Sequence, residues 1–279
     1  MNRVPVRALR AASSWGADLV ASAVSSLDGV LGTYGEVDVG LPWASVTKLC
    51  TALAVLVAVE EGTVGLDDEL GPPGSTVRHL LAHASGLGPD DRSRVLARPG
   101  TRRIYSNAGF ELLGEHLADR SGMPFERYLA SGVLEPLGMR RTTLNGTPAA
   151  GAAGPLRDLL ALSAELLAPT LVSRTTFELA TSVAFPGLGG VLPGFGRQEP
   201  CDWGLGFELK DGKSPHWTGT RNSARTFGHF GQAGAFLWVD PDAGLACAAA
   251  CDRPFGPWAV AAWPAFSDAV LDEVLGPPG

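Results

Sequence analysis

Apolar residues recur along this chain in two rhythms. Between about residues 45 and 167 they follow helical spacing, whereas both ends carry short alternating or continuous apolar runs. The helical region opens at Ser45 and its first helix closes at "EEG", with Gly62 as the C-terminal cap. A short helix follows from Ser75 or Thr76 to about Ala84. In "NAGFELLGEHLADRSG" Phe110, Leu113 and Leu117 share one face and Gly122 stops the helix. "PFERYLASGVLEPLG" and "LRDLLALSAELLA" complete the set. Near the N-terminus, "DLVASAVSSLDGVLGTYG" reads as two strands joined at Asp28-Gly29. Beyond Trp203, "WGLGFEL", "ARTFGHFG", "AFLWV" and "LACAAAC" read as strands, with a hairpin loop from Asp240 to Gly244. "FSDAVLDEVLG" closes the chain as a helix. Strands at both ends with helices between predict one sheet that recruits both termini around a helical insertion.

Composition narrows the function classes. With 279 residues, 45% hydrophobic and 18% charged, the chain can bury a large core and is not a disordered composition. A net charge of −7 argues against nucleic acid and against an anionic membrane surface, since both require a basic face. Cys50, Cys201, Cys247 and Cys251 show no CxxC spacing and read as buried free thiols. The first residues lack the unbroken apolar stretch of a signal peptide, and "LCTALAVLVAV" is too short to span a bilayer. The expected location is cytoplasmic.

Three short motifs carry candidate chemistry, each against a bland alternative. Ser45 and Lys48, at i and i+3 of a helix, share a face, so the amine can reach the hydroxyl. A desolvated lysine can activate a serine, and a helix N-terminus offers N–H groups to an oxyanion. The alternative is an N-cap serine and a first-turn lysine. Tyr105 beside a lysine could be held partly as phenolate and act as base, while Asn107 offers an amide to a carbonyl. Alternatively, Asn107 caps the next helix. Glycines 228, 231 and 234 around His229 suit a strand that something approaches closely, such as a docked substrate; the alternative is a bulged strand with one satisfied histidine. Other patterns fail: "GFELKDGKS" has the wrong P-loop spacing, His79 and His83 lack the HExxH glutamate, and GxSxG is absent.

Taken together, "SVTKL", "LLAHASGL", "RPGTRRIYSNAGFELLGEHLADRSG", "LEPLGM", "WGLGF" and "GHFGQAGAFLWVDP" resemble the serine β-lactamase-related family. That group includes AmpC-type β-lactamases, DD-peptidases and family VIII esterases, and the likeness runs from roughly residue 19 to 270. It implies an α/β fold, an antiparallel sheet flanked by N- and C-terminal helices, with a mainly helical subdomain. One domain would span 1–279, its sheet part about 1–62 plus 190–279 and its helical part about 63–189. Ser45 would be acylated, and Lys48 and Tyr105 would share the proton relay. Asn107 would bind the acyl side, His229 and Gly231 would line the substrate strand, and the N–H groups of Ser45 and Gln232 would form the oxyanion hole. His83 and Gly86 match a structural signature. No metal or organic cofactor is implied.

One departure bears on substrate. Many relatives have Lys-Thr-Gly or Lys-Ser-Gly where this chain has His229-Phe230-Gly231. A histidine is mostly neutral at pH 7, and a lost ion pair forfeits roughly 1–4 kcal/mol for a carboxylate-bearing substrate. The expected reaction is therefore hydrolysis of small-molecule esters or amides through an acyl-enzyme. β-Lactam or D-amino-acid peptide hydrolysis is the alternative, with acyl transfer to an alcohol and a catalytically silent receptor as further rivals.

Overall fold

The computed structural model describes residues 6–276, so only the outermost ends of the expected 1–279 domain lie outside the described residues. A 3₁₀ segment, Arg7–Trp15, leads into β1 (Val20–Ser26), β2 (Gly29–Gly35) and β3 (Gly40–Pro42). A 3₁₀ turn, Ala44–Val46, then feeds α1 (Thr47–Glu60), followed by α2 (Val77–Leu81), α3 (Asn107–Ser121) and α4 (Phe125–Leu129). Next come β4 (Thr143–Leu144), β5 (Ala152–Pro155), α5 (Leu156–Leu167), α6 (Arg174–Ala180), β6 (Gly190–Leu192) and β7 (Gly196–Gln198). The chain ends through β8 (Glu208–Leu209), β9 (Phe227–Gly231), β10 (Ala235–Asp240), β11 (Leu245–Cys251) and α7 (Pro257–Leu275).

The main sheet has six antiparallel strands in the order β2-β1-β11-β10-β9-β8, so both ends of the chain meet at its centre. Helices cover both faces, and this explains why the central strands read as unbroken apolar runs. On β10, Ala235, Leu237 and Val239 face the α1 and α5 side, while Phe236 and Trp238 face α7 and the Arg7–Trp15 segment. On β11, Ala246, Ala248 and Ala250 turn toward α5; their small side chains let that helix lie close to the sheet. The Asp28-Gly29 junction is a hairpin whose tip is Leu27-Asp28, with Gly29 at φ 109° opening β2.

α1 is apolar on every side because it runs through the interior: eleven of its fourteen residues are buried, against α3, α4 and the end of β9. Its α-helical hydrogen bonding begins at Thr47, not Ser45, and no side chain caps it. The predicted helix at 75–84 shrinks to Val77–Leu81, since His83, at φ 53°, turns the chain out of helical geometry. "WGLGFEL" supplies only the two-residue β8, and the Gly/Pro-rich stretch at 185–196 contains a small hairpin, β6-β7. α7 starts nine residues before Phe266, at Pro257, and carries Pro264 within it. The four cysteines are buried free thiols. Among the described residues no helix is long and apolar enough to cross a membrane.

Candidate active site

Ser45 sits in the 3₁₀ turn where the interior helix begins, pressed against the end of β9. Two strands of contacts hold that turn. Trp43 N–H donates to Ala152 O (2.9 Å) and its indole N–H to Gly154 O (3.0 Å), while Thr47 Oγ1 donates to Ala44 O (2.6 Å) and accepts from Ala152 N–H (2.9 Å). Ser45 is thus placed by its neighbours and caps nothing, which corrects the reading of Ser45 as a helix cap. Its hydroxyl lies 2.7 Å from the Tyr105 hydroxyl and 3.3 Å from Lys48 Nζ.

Lys48 is wholly buried, and its amine has two shorter contacts: Asn107 Oδ1 at 2.6 Å and Ala149 O at 2.9 Å. Burial pushes its pKa down to about 7, against the opposing pull of Asp90 and Glu111. Asn107 does not cap α3. Ser106 does so, accepting from Gly109 N–H at 3.0 Å, and this leaves the Asn107 amide free to span Lys48 and Asp90. Tyr105 is pushed up from its ordinary range by burial, more than the Ser45 hydrogen bond lowers it and with Asp90 adding to the rise. The expectation of a partly ionised phenolate fails for that reason: the loss of water outweighs the one hydrogen bond that favours the anion. His83 holds Tyr105 from both sides in sequence. Its carbonyl accepts from Ile104 N–H (2.9 Å), its Nδ1 accepts from Ser106 N–H (3.1 Å), and its ring lies 4.6 Å from that of Tyr105. His79 instead pairs with Thr76 Oγ1 and stacks on Phe185, and no metal-ligating cluster occurs among the described residues.

From the sheet side, β9 presents His229 and Gly231. His229 Nδ1 lies 2.7 Å from Phe230 O, which can only accept, so Nδ1 carries a proton. Burial and then the Lys48 charge push its pKa down to about 3. Phe230, which also borders the cleft, packs its ring into a cluster with Phe195, Trp217, Phe255 and Trp263. A Cβ on Gly231 would stand 2.1 Å from Trp43 O and 3.1 Å from Ser45 N. A Cβ on Gly228 would stand 2.0 Å from Leu237 O, and one on Gly234 2.2 Å from Arg253 O. At all three glycines it is the protein's own backbone that approaches closely.

Ser45, Tyr105, Asn107, His229 and Gln232 all border one narrow cleft of about 80 Å³. Gln232 is exposed at its rim, with its carbonyl accepting from Phe255 N–H at 2.9 Å. The remaining walls come from Leu192 and Pro193 on the β6-β7 hairpin, Trp203, Phe230 and Glu208. A larger hollow of about 540 Å³ beside α5 and α6 holds none of these residues. Glu208 was not singled out from sequence. It accepts from Lys213 Nζ (2.6 Å), His216 Nε2 (2.8 Å) and Trp217 Nε1 (2.8 Å). Burial alone would raise its pKa, but His216 and Lys213 hold it at about 2. The spacing of these residues within ten positions of a loop has no motif character; only the fold turns their side chains together.

Comparison with known proteins identifies the family and the fold. Residues 38–270 match the family described as Beta-lactamase. A solved structure described as a β-lactamase from Mycobacterium bovis is 54% identical with a TM-score of 0.94, covering 95% of this chain and 98% of that one. The D-alanyl-D-alanine-carboxypeptidase/endopeptidase AmpH of Escherichia coli (strain K12) is 29% identical over 141 residues, 38% of this chain and 37% of AmpH. Penicillin-binding protein 4* of Bacillus subtilis (strain 168) is 30% identical over 132 residues, 36% of this chain and 29% of its own length. The match thus spans about a third of these curated relatives. With the family match running from β3 into α7, and a solved neighbour that shares nearly the whole fold, this chain belongs to the β-lactamase family.

Proposed function

We propose that the protein is a serine hydrolase that works through an acyl-enzyme on Ser45, with neutral esters or small amides as its substrates. The observation that carries this reading is the partner set of Lys48 Nζ. A neutral amine has two N–H groups and one lone pair. Its two nearest partners, Asn107 Oδ1 and Ala149 O, can only accept, so they take both N–H groups and leave the lone pair to the Ser45 hydroxyl. Tyr105, kept protonated by burial, donates to Ser45 Oγ from the other side. Lys48 is then the base and Tyr105 the acid.

In acylation Ser45 Oγ bonds to the substrate carbonyl carbon and its proton passes to Lys48. Tyr105 gives its proton to the leaving oxygen as the C–O bond breaks, and the new Lys48 ammonium steadies the phenolate. Water then attacks the acyl carbon and gives its proton to Tyr105, while Ser45 Oγ leaves and recovers its proton from Lys48. The N–H groups of Ser45 and Gln232 receive the oxyanion, a role supported by the close approach of Gly231 to Ser45 N. Ester preference is supported by the cleft wall: among the described residues no arginine or lysine lines it, and its histidine is neutral. The Mycobacterium bovis neighbour, described as a β-lactamase, favours β-lactam hydrolysis as the second reading.

Ser45→Ala should abolish both p-nitrophenyl acetate turnover and covalent labelling by a fluorophosphonate. Comparing kcat/KM for p-nitrophenyl acetate and nitrocefin decides between the two substrate classes. A clear nitrocefin preference overturns the ester reading, and wild-type protein that takes up no serine-directed label overturns the hydrolase reading itself.

A further inference from the structure

The loop at Gly88–Asp90, well ahead of α3 in the chain, passes beside that helix's first turn. Pro89 O accepts from the N–H groups of Asn107 (2.7 Å) and Ala108 (3.1 Å), and Gly88 O accepts from Ser106 Oγ (2.7 Å). The next residue, Asp90, is exposed and accepts from Asn107 Nδ2 through Oδ1 at 2.7 Å. An amide has an acceptor end and a donor end. A neutral Lys48 can meet Asn107 with either an N–H group or its lone pair, whereas the Asp90 carboxylate can only accept, so Asp90 imposes one orientation on the amide. Turned over, Asn107 would offer its NH₂ group to Lys48 and draw the amine's lone pair away from Ser45.

We propose that Asp90 is a positioning residue for the catalytic lysine: by pinning the Asn107 amide, it keeps the Lys48 lone pair aimed at Ser45 Oγ. This rests on the reading of Lys48 as the base. Asp90 touches neither nucleophile nor cleft, and the "GPDD" in which it stands carries no motif. The charged and titratable groups that bear on Lys48 are few. Asp90 and Glu111 oppose its loss of charge, and Glu111 is itself paired with Arg92 at 3.2 Å. His83, Tyr105 and His229 face it as neutral groups, held so by burial.

The test is the rate of fluorophosphonate labelling of Ser45 across pH in the full chain, for wild type, Asp90→Ala and Asp90→Asn. Thermal melting checks that each variant folds. Loss of the acceptor in Asp90→Ala should lower the high-pH plateau about tenfold. Asp90→Asn keeps an acceptor oxygen without the charge and should restore most of that loss. Both variants remove an anion that favours the ammonium, so the low-pH limb should move about half a unit to lower pH in each. This combination would not arise from a merely structural role. Equal plateaus in Asp90→Ala and wild type, an Asp90→Asn plateau as low as that of Asp90→Ala, or a limb that stays in place or moves upward, each overturn the proposal alone. A wild-type protein that takes no label overturns the hydrolase reading and this proposal with it.

Discussion

Gly231→Ala is a direct probe of how the sheet and the nucleophile turn fit together. The added Cβ would lie 2.1 Å from Trp43 O, whereas such contacts in real structures essentially never fall below 3.0 Å. The two backbones must therefore part by roughly 1 Å. Neither partner yields easily. Trp43 is fully buried and tied to β5 through Ala152 and Gly154, and β9 is paired to β10 along its length. Overpacking of this kind costs about 1–3 kcal/mol of stability, and the protein should still fold. The larger effect falls on chemistry. Ser45 N and the backbone leading to Gln232 are moved apart, and a misplacement near 1 Å costs on the order of 100-fold in rate. Fluorophosphonate labelling and p-nitrophenyl acetate turnover, read beside a melting curve, separate the two effects. A Gly231→Ala protein that labels and turns over at the wild-type rate would refute the claim that this contact sets the oxyanion site.

The remaining predictions concern charge. If Lys48 is the base as proposed, its pKa, pushed down to about 7, should make kcat/KM rise with pH through about 7 as the ammonium deprotonates, then stay level because Tyr105 remains protonated well into the alkaline range; a profile that falls across that window assigns the roles wrongly. His229→Lys would bring a cation to the cleft wall beside Glu208, and the ratio of nitrocefin to p-nitrophenyl acetate kcat/KM should rise roughly tenfold, within the 1–4 kcal/mol of an ion pair. Glu208→Gln leaves the fully buried Lys213 ammonium without its counter-charge and should cost about 3–5 kcal/mol in denaturant unfolding. An unchanged midpoint there would mean that Lys213 is neutral or re-paired.

Much of the site is readable in the chain because its chemistry needs particular residue types at short, regular spacings. Ser45 and Lys48 are one helical turn apart, and Tyr105 and Asn107 flank a capping serine, so local geometry brings each pair to one side. Asp90 and Glu208 are not readable in this way. Each acts through a partner that the chain reaches only by folding: Asp90 through Asn107, seventeen residues on, and Glu208 through a loop that doubles back on it. Helix limits slipped for a related reason. Val77–Leu81 is cut short by the αL turn at His83, and α7 runs back through an apolar stretch whose proline gave no sign of tolerating helix.

What the sequence by itself determined is the family, the order of the main-sheet strands and larger helices, and most of the polar groups that meet at the cleft. These follow from periodicity and from short motifs, which depend on near neighbours. Tertiary structure alone decided the protonation of those groups. Burial brings the Lys48 pKa down to about 7 and keeps Tyr105 protonated, and the Phe230 carbonyl holds a proton on His229 Nδ1. The physical reason is that a pKa or a tautomer depends on excluded water and on hydrogen-bond partners from distant segments, and no local pattern in a chain records either.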